Sequence, residues 1–383
     1  RGLLSGMIDS IFSNHIQYQS GHIRIVNSEY EKKERLLSLN YPVSGFKGET
    51  GATMLSQLEQ IEGIKTAIPR IKFGAVVSRE DELVRMMGWG VDPEKEKDFT
   101  KIEEMLVKGE MPGAGKNEVI MGGGLLKKLN KKVGEKVTIL YNTSFSSFKG
   151  RTVKIVGEIE SDLKLLNDNV FYIPLTKAQK MLYLDNQFTE ILLVTPGLDQ
   201  VKSVLPRVQT LFDNKTGGEK YTITPWNQSG GMIYWMQLAR KIYNIIYIFL
   251  VVLSSFVVIN TMVMIVNERT REIGMMSALG LKSKDILKLF IMEGTIMGVL
   301  GSFIGAIFGG IITKILANVG IDYTEAMEGV GEEILMKPVI YPSFSLENMI
   351  FGFVLGIIIT GVACIIPARR AARMEPNDAL REM

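Results

Sequence analysis

The sequence predicts a multi-domain membrane protein in which a mixed α+β extracytoplasmic domain is joined to an all-α transmembrane domain. Three observations predict it. Residues 242–266, 294–313 and 348–368 carry no charged side chain, and each run is long enough for a helix to cross the hydrocarbon core. Residues 1–241 instead have the mixed composition of a water-exposed domain. Between the first two runs lie Arg269, Arg271, Lys282, Lys284 and Lys288, and Arg369, Arg370 and Arg373 follow the third, whereas residues 314–347 hold only Lys314 and Lys337 against six carboxylates. Basic loops stay in the cytoplasm. That rule puts 267–286 and 369–383 inside and 17–231 and 314–347 outside. An outer domain of that size needs a leading span or signal, so a fourth span is expected before residue 1.

Composition narrows the function classes. The chain has 383 residues and a net charge of +3, too little to argue for nucleic acid. Its single cysteine, Cys364, lies in the last apolar run, so no disulfide can form within the chain. His15 and His22 have no cysteine or carboxylate cluster beside them and read as solvent-edge residues rather than metal ligands.

In order, Leu3, Leu4, Met7, Ile8, Ile11 and Phe12 recur at helical spacing. This opening helix over residues 1–16 fits the outer end of a preceding span and fits a soluble core equally. Residues 21–26 alternate like a half-buried strand, 29–52 read as a loop and 54–64 as a helix. Strands are expected at 71–77 and 83–91 around the charged turn 79–82. Gly113-Ala-Gly-Lys-Asn invites comparison with a phosphate loop, but Glu110 and Asn117 stand where glycine and a hydroxyl are required. It reads as a surface turn. Further elements are a helix over 125–129, a hairpin of strands 136–141 and 151–159, strands 170–173 and 191–194 separated by a helix containing Ala178, Met181 and Leu182, and a helix over 199–212. No nucleophile elbow or HExxH motif occurs. No catalytic residue and no metal site is assigned.

From Met232 a stalk runs unbroken into the first visible span, with Tyr243 and Tyr247 as interfacial aromatics. Residues 232–266 are stalk and span, 267–286 a cytoplasmic segment, 287–313 the second span, 314–347 an outer loop, 348–368 the third span and 369–383 a tail. Gly274 and Gly280 bracket Met275, Met276, Ala278 and Leu279, which suits a short helix inserting into a partner or one lying on lipid headgroups. In the second span Gly301, Gly305 and Gly309 form a small-xxx-small face, predicted to pack against another helix.

Asn267-Glu-Arg-Thr-Arg-Glu-Ile-Gly-Met-Met-Ser-Ala-Leu-Gly and Pro367-Ala-Arg-Arg-Ala-Ala-Arg-Met-Glu-Pro-Asn-Asp-Ala-Leu-Arg resemble the cytoplasmic signatures of FtsX-like permeases of ABC transporters, the MacB and LolC/LolE type. Gly21-His-Ile-Arg-Ile, Gly88-Trp-Gly-Val-Asp-Pro-Glu-Lys-Glu, 129–137 and Val156-Gly-Glu-Ile resemble lipoprotein-releasing permeases. The resemblance implies a bacterial inner-membrane permease whose periplasmic domain has porter-like and sabre-like parts. It implies a dimer with a second copy or a paralogue, no cofactor on this chain, and ATP and Mg on separate ABC ATPase subunits. Glu268, Arg269, Arg271, Glu272, Ile273, Gly274, Met275, Met276, Ala278, Leu279 and Gly280 would couple to that ATPase. Lipoprotein release by mechanotransmission is the expected function, with membrane lipids, an amphipathic substrate and a periplasmic carrier as partners. MacB-like efflux of toxins, antibiotics or peptides, or division-type control of wall hydrolases, are the alternatives. Ile8, Ile11 and Phe12 on the opening helix, with Met232, Ile233 and Met236 on the stalk, either line a cavity for an acylated substrate or pack stalk against stalk.

Overall fold

The computed structural model describes residues 2–79, 82–229, 231–324, 335 and 337–373. Residues 9–233 with 322–339 form one unit, and residues 1–8, 234–321 and 340–383 form the other. Glu80, Asp81 and the end of the C-terminal signature, 374–383, lie outside the described residues.

The chain opens on α1 (Gly2–His15) and passes through a π-helical turn (Ile16–Ser20). Gly21, at φ +58°, closes that turn by donating its N–H to the Ile16 carbonyl at 2.9 Å, a backbone shape that disfavours side chains. β1 (Ile23–Asn27) follows. The stretch expected as loop contains α2 (Ser28–Lys32), capped by the Asn27 side chain, and leads to α3 (Gly51–Glu59). α3 starts earlier than the spacing suggests because Thr50 caps it, its side chain accepting from the Thr53 N–H, and it ends at Glu59. β2 (Thr66–Arg79) and β3 (Glu82–Val91) pair antiparallel, from Arg70 opposite Val91 to Arg79 opposite Glu82. No expectation covered α4 (Pro93–Thr100), which Asp92 caps, or β4 (Leu106–Gly109). β5 (Glu118–Gly122), α5 (Gly123–Leu129), β6 (Lys136–Asn142) and β7 (Phe148–Ile159) come next. After them are α6 (Lys164–Asn169), β8 (Val170–Pro174), α7 (Leu175–Leu182), β9 (Glu190–Val194), α8 (Val201–Asp213) and β10 (Tyr221–Pro225).

Among the described residues one ten-stranded sheet runs β10-β1-β9-β2-β3-β8-β5-β7-β4. β6 pairs with both β7 and β2, where Ala75 faces Tyr141. These pairings close β2, β3, β8, β5, β7 and β6 into a ring, and Phe73, Val119, Ile139, Ile155 and Phe171 belong to the large core beside it.

β1 is not half-buried. Ile23, Arg24, Ile25 and Val26 are all inside, because β10 and β9 flank the strand and both faces are covered. Its polar position therefore needs partners. Arg24 Nε donates to Glu190 Oε2 at 2.8 Å, and the same guanidinium holds Glu34. Lys72 Nζ meets Glu190 Oε1 at 2.8 Å. Two residues back on β2, Arg70 forks onto Glu96, with Nη2 to Oε2 at 2.8 Å. Arg70 and Lys72 also lie over the Trp89 ring, 5.4 and 4.9 Å from its centroid. Burial alone would raise the Glu190 carboxyl, but Lys72 and Arg24 bring it down to about 2. His15 corrects the solvent-edge expectation: it is buried, its Nδ1 lies 3.0 Å from Gln19 Oε1, and burial lowers its pKa from 6.5 to about 4. His22 Nδ1 pairs with Thr195.

Both shifts have the same sign in linkage. Neutral His15 and ionised Glu190 are favoured by folding, so the unfolded chain binds more protons. Stability present above pH 6.5 should be lost in part as pH falls to 4 through His15, and further between 4.5 and 2 through Glu190. The His15 part should be on the order of 3 kcal/mol. Urea unfolding of the full chain in detergent, followed by buried Trp89 fluorescence, checks this, and His15→Gln should flatten the slope between pH 6.5 and 4.

In the other unit α9 (Gly231–Glu268) is one helix of 38 residues, as the unbroken stalk requires. α10 (Thr270–Ala278), α11 (Ser283–Val319) and α12 (Leu346–Ala372) complete its helices. Residues 283–286, expected in the linking segment, open α11. Among the described residues, α9, α11 and α12 are long and apolar enough to cross a membrane. Within this chain α11 meets α12 along a stripe beside Gly301, Gly305 and Gly309. A Cβ on Gly301, Gly305 or Gly309 meets nothing within 4 Å, whereas one on Gly298 would lie 2.8 Å from Thr360 Cβ, and Gly294 and Gly310 similarly face Cys364 and Met349 of α12. The predicted register lies about one helical position aside because α12 approaches the 294, 298 and 310 stripe. Gly298→Leu should therefore sharply lower the yield of folded chain in detergent, and Gly305→Leu should leave it within about twofold of the parent.

Candidate functional site

α9 ends at Glu268, and Arg269, with φ −100°, turns the chain into α10. Thr270 Oγ1 donates to the Asn267 carbonyl at 2.8 Å and stiffens the corner. Beyond α10, Gly280 takes φ +94° and lets Leu281 N–H reach the Met276 carbonyl at 3.1 Å before α11 begins. Gly280 is thus a real turning point. Gly274 is not: it is buried within α10.

α10 is divided lengthwise. Ile273 is 1% exposed in a cluster with Val266, Ile286, Phe290, Ala368 and Ala371, an anchor on the order of 2 kcal/mol for the isoleucine alone. Arg269 Nη1 also meets Glu293 Oε1 of α11 at 3.0 Å. On the other side Glu268, Arg271, Glu272, Met275, Ala278, Leu279 and Gly280 are exposed, Met275 by 52% and Leu279 by 84%, while Met276 is partly buried against the cluster. The predicted coupling residues therefore separate into Ile273, which holds the helix, the buried Gly274, and an exposed apolar and charged face. Sequence reasoning missed Val266, Ile286, Phe290, Ala368 and Ala371. The alanines stood in a motif read for its charge, and their small size was the available signal.

The six residues proposed for an acyl cavity do not come together in one unit. Ile8 and Met236 belong to the helical unit, Ile11, Phe12 and Ile233 to the sheet unit, and the side chain of Met232 lies outside the description. All but Phe12 of the remaining five are buried, and the Phe12 ring packs edge-on against Trp226 at 5.5 Å. An apolar cavity of about 400 Å³ does occur between α9, α11 and α12, lined by Val258, Met262, Met297, Gly298, Thr360 and Cys364 among others. It can take hydrocarbon. Gly301, expected in a helix seam, borders it.

Two further surfaces bear on function. At Gly113–Lys116 the chain makes a turn, and Glu118 Oε2 accepts from the Gly113 N–H at 2.9 Å, occupying an amide that a phosphate would need. At the β6–β7 hairpin, Phe145 and Phe148 are 74% and 63% exposed, and Phe145 leans on Tyr183 at 5.8 Å. Lys149 lies over the Tyr183 ring, and burial, with Arg151 and Lys180 nearby, lowers the Lys177 ammonium from its ordinary value. Among the described residues no group of three or more His, Cys, Asp or Glu could hold a metal.

Comparison with known proteins places these features in a family. Residues 2–211 match the MacB-like periplasmic core domain, and residues 244–376 match the FtsX-like permease C-terminal region. The lipoprotein-releasing system transmembrane protein LolC of Xylella fastidiosa is 20% identical over 82% of this chain and 77% of its own length. LolE of Haemophilus influenzae is 25% identical over 85% of this chain and 79% of its own. The macrolide export ATP-binding/permease protein MacB of Nitrobacter winogradskyi is 26% identical over 54% of this chain and 30% of its own. With membrane-length helices, a mixed α/β unit over the core-domain match and a linker helix within the permease match, the chain belongs to the FtsX/MacB family of ABC transporter permeases.

Proposed function

We propose that this chain is the permease subunit of a bacterial inner-membrane ABC transporter, that it works by mechanotransmission, and that it extracts lipoproteins from the outer leaflet for transfer to a periplasmic carrier. The observation that carries the reading is the lengthwise division of α10. A helix fixed to its own spans through Ile273 and offering Met275 and Leu279 outward is suited to receive motion from a separate cytoplasmic ATPase, where ATP and Mg would be bound.

Support for the substrate class comes from relatives and from chemistry. The LolC and LolE relatives match this chain over four-fifths of its length or more, against about half for the MacB relative. The apolar cavity has no charged lining residue. Each methylene moved from hydrocarbon to water costs about 0.8 kcal/mol, so removing acyl chains needs both shelter and a driven machine. The exposed Phe145, Phe148 and Tyr183, with Lys149, Arg151 and Lys180 around them, offer a docking place for a soluble carrier of acidic surface. Export of a soluble or amphipathic compound is the second reading, favoured by the relative named for macrolide export.

Leu279→Asp should leave membrane insertion and thermal unfolding unchanged and lower capture of the ATPase subunit at least tenfold in a pull-down. Ile273→Ala should instead destabilise the chain by about 2–4 kcal/mol. Equal capture by Leu279→Asp and parent would remove α10 as the coupling element. For the substrate, a photo-crosslinker at Met297 should trap acylated protein in the nucleotide-free complex and lose it on adding ATP. Trapping only non-acylated small molecules selects export.

A further inference from the structure

We propose that Arg70, Glu96 and the carbonyl of Tyr18 form a latch through which displacement of α1 reaches the central sheet. The inference rests on the mechanotransmission reading and names its point of entry into the sheet-bearing unit.

The chain enters that unit along α1 at Asp9 and does not run directly into β1. It first makes the π-helical turn of residues 16–20, a widened geometry that costs regular hydrogen bonding and recurs at functional positions. Arg70 Nη1 donates to the Tyr18 carbonyl in this turn at 2.7 Å, while its other nitrogens fork onto Glu96 of α4. Thr100 Oγ1 fixes the same carboxylate at 2.8 Å, and Gln17 Nε2 donates to the Phe99 carbonyl at 3.2 Å. The turn is therefore tied to α4 twice, through Gln17 and through the Arg70 fork, and directly to β2. Arg70 stands opposite Glu190 in the β2–β9 register, and its own carbonyl accepts from the Thr189 N–H at 2.9 Å. A guanidinium that is 0% exposed and held at both ends leaves little slack between the turn and the β2–β9 seam.

A purely stabilising cluster would behave differently from a latch. Replacing a buried ion pair with apolar groups of similar volume is often neutral or stabilising, so Arg70→Met with Glu96→Leu can keep the fold while removing the donor to Tyr18. Arg70→Lys is the second variant: it keeps a charge near Glu96 but has no second arm for the carbonyl. Amide hydrogen exchange of the full chain, assembled with its ATPase subunits in lipid nanodiscs, is read without nucleotide and with ATP plus vanadate. In the parent, nucleotide should change exchange in α1 and also in β2 and β9. In both variants the α1 change should persist, the β2 and β9 change should fall at least fivefold, and ATP turnover should stay within about twofold. If β2 and β9 respond as in the parent in either variant, the latch is overturned while the permease reading stands. If the parent shows no nucleotide response in α1 or the sheet, the permease reading falls and the latch falls with it.

Discussion

The sheet-bearing unit depends on a balance of buried charge. Arg24, Arg70 and Lys72 are buried, and so are Glu96 and Glu190, with Glu34 at the rim. Removing one partner of such a group leaves an uncompensated charge and costs about 3–5 kcal/mol. The group thereby ties β1, β9, β2, α4 and the entry turn together more specifically than apolar packing could, since hydrocarbon contacts are non-directional. Trp89 covers two of the cations, and its indole sits in the second core with Val91, Ile120 and Tyr172. The large core on the opposite face is a continuous hydrophobic cluster. One face of the sheet is thus packed with hydrocarbon, and the other carries the paired charges.

The helical unit meets the reverse constraint. In hydrocarbon, helices gain nothing by hiding apolar side chains from water, so close approach of backbones decides which faces meet. α11 and α12 meet where glycine on one helix stands against a small or flexible side chain on the other, as at Gly294 with Cys364, Gly298 with Thr360 and Gly356 with Ser302. Toward the linker, larger side chains take over. Phe290, Ile286, Val266 and Ile273 fill a cluster among the alanines of α12. The packing is thin along the spans and thick at the end that carries α10.

How much of this was legible follows from which signals are local. Long charge-free runs, alternating strands and the Gly280 turn are properties of neighbouring residues, and they were read with errors of a few positions. The buried charges were not read, because Arg70 and Lys72 alternate with Ile71 and Phe73 as any half-exposed strand would. Only the layer of α4 and the entry turn over that face makes them internal, and that is a long-range fact. The glycine stripe that meets α12 is not a local property either. Gly301, Gly305 and Gly309 and the packed Gly294 and Gly298 are all spaced by multiples of four or near it, and periodicity alone cannot say which stripe a partner helix touches. The family signatures located α10, but which of its residues anchor and which face outward depends on the alanines at 368 and 371, nearly a hundred residues away.

That division of α10 is held by more than one attachment. A surface helix fixed at neither side would absorb a push by rotating, and one buried on both sides could not receive it. Here Ile273 is held in the cluster, Arg269 is paired with Glu293, and Leu279 stands free next to a glycine turn. The exposed ion pair adds little stability by itself, but it joins the corner after α9 to α11 at a second point, 24 residues apart in sequence. Two separate attachments resist rotation where one would not. Through the cluster and the ion pair the linker is attached to α9 and α11 together, and α9 is the 38-residue helix Gly231–Glu268.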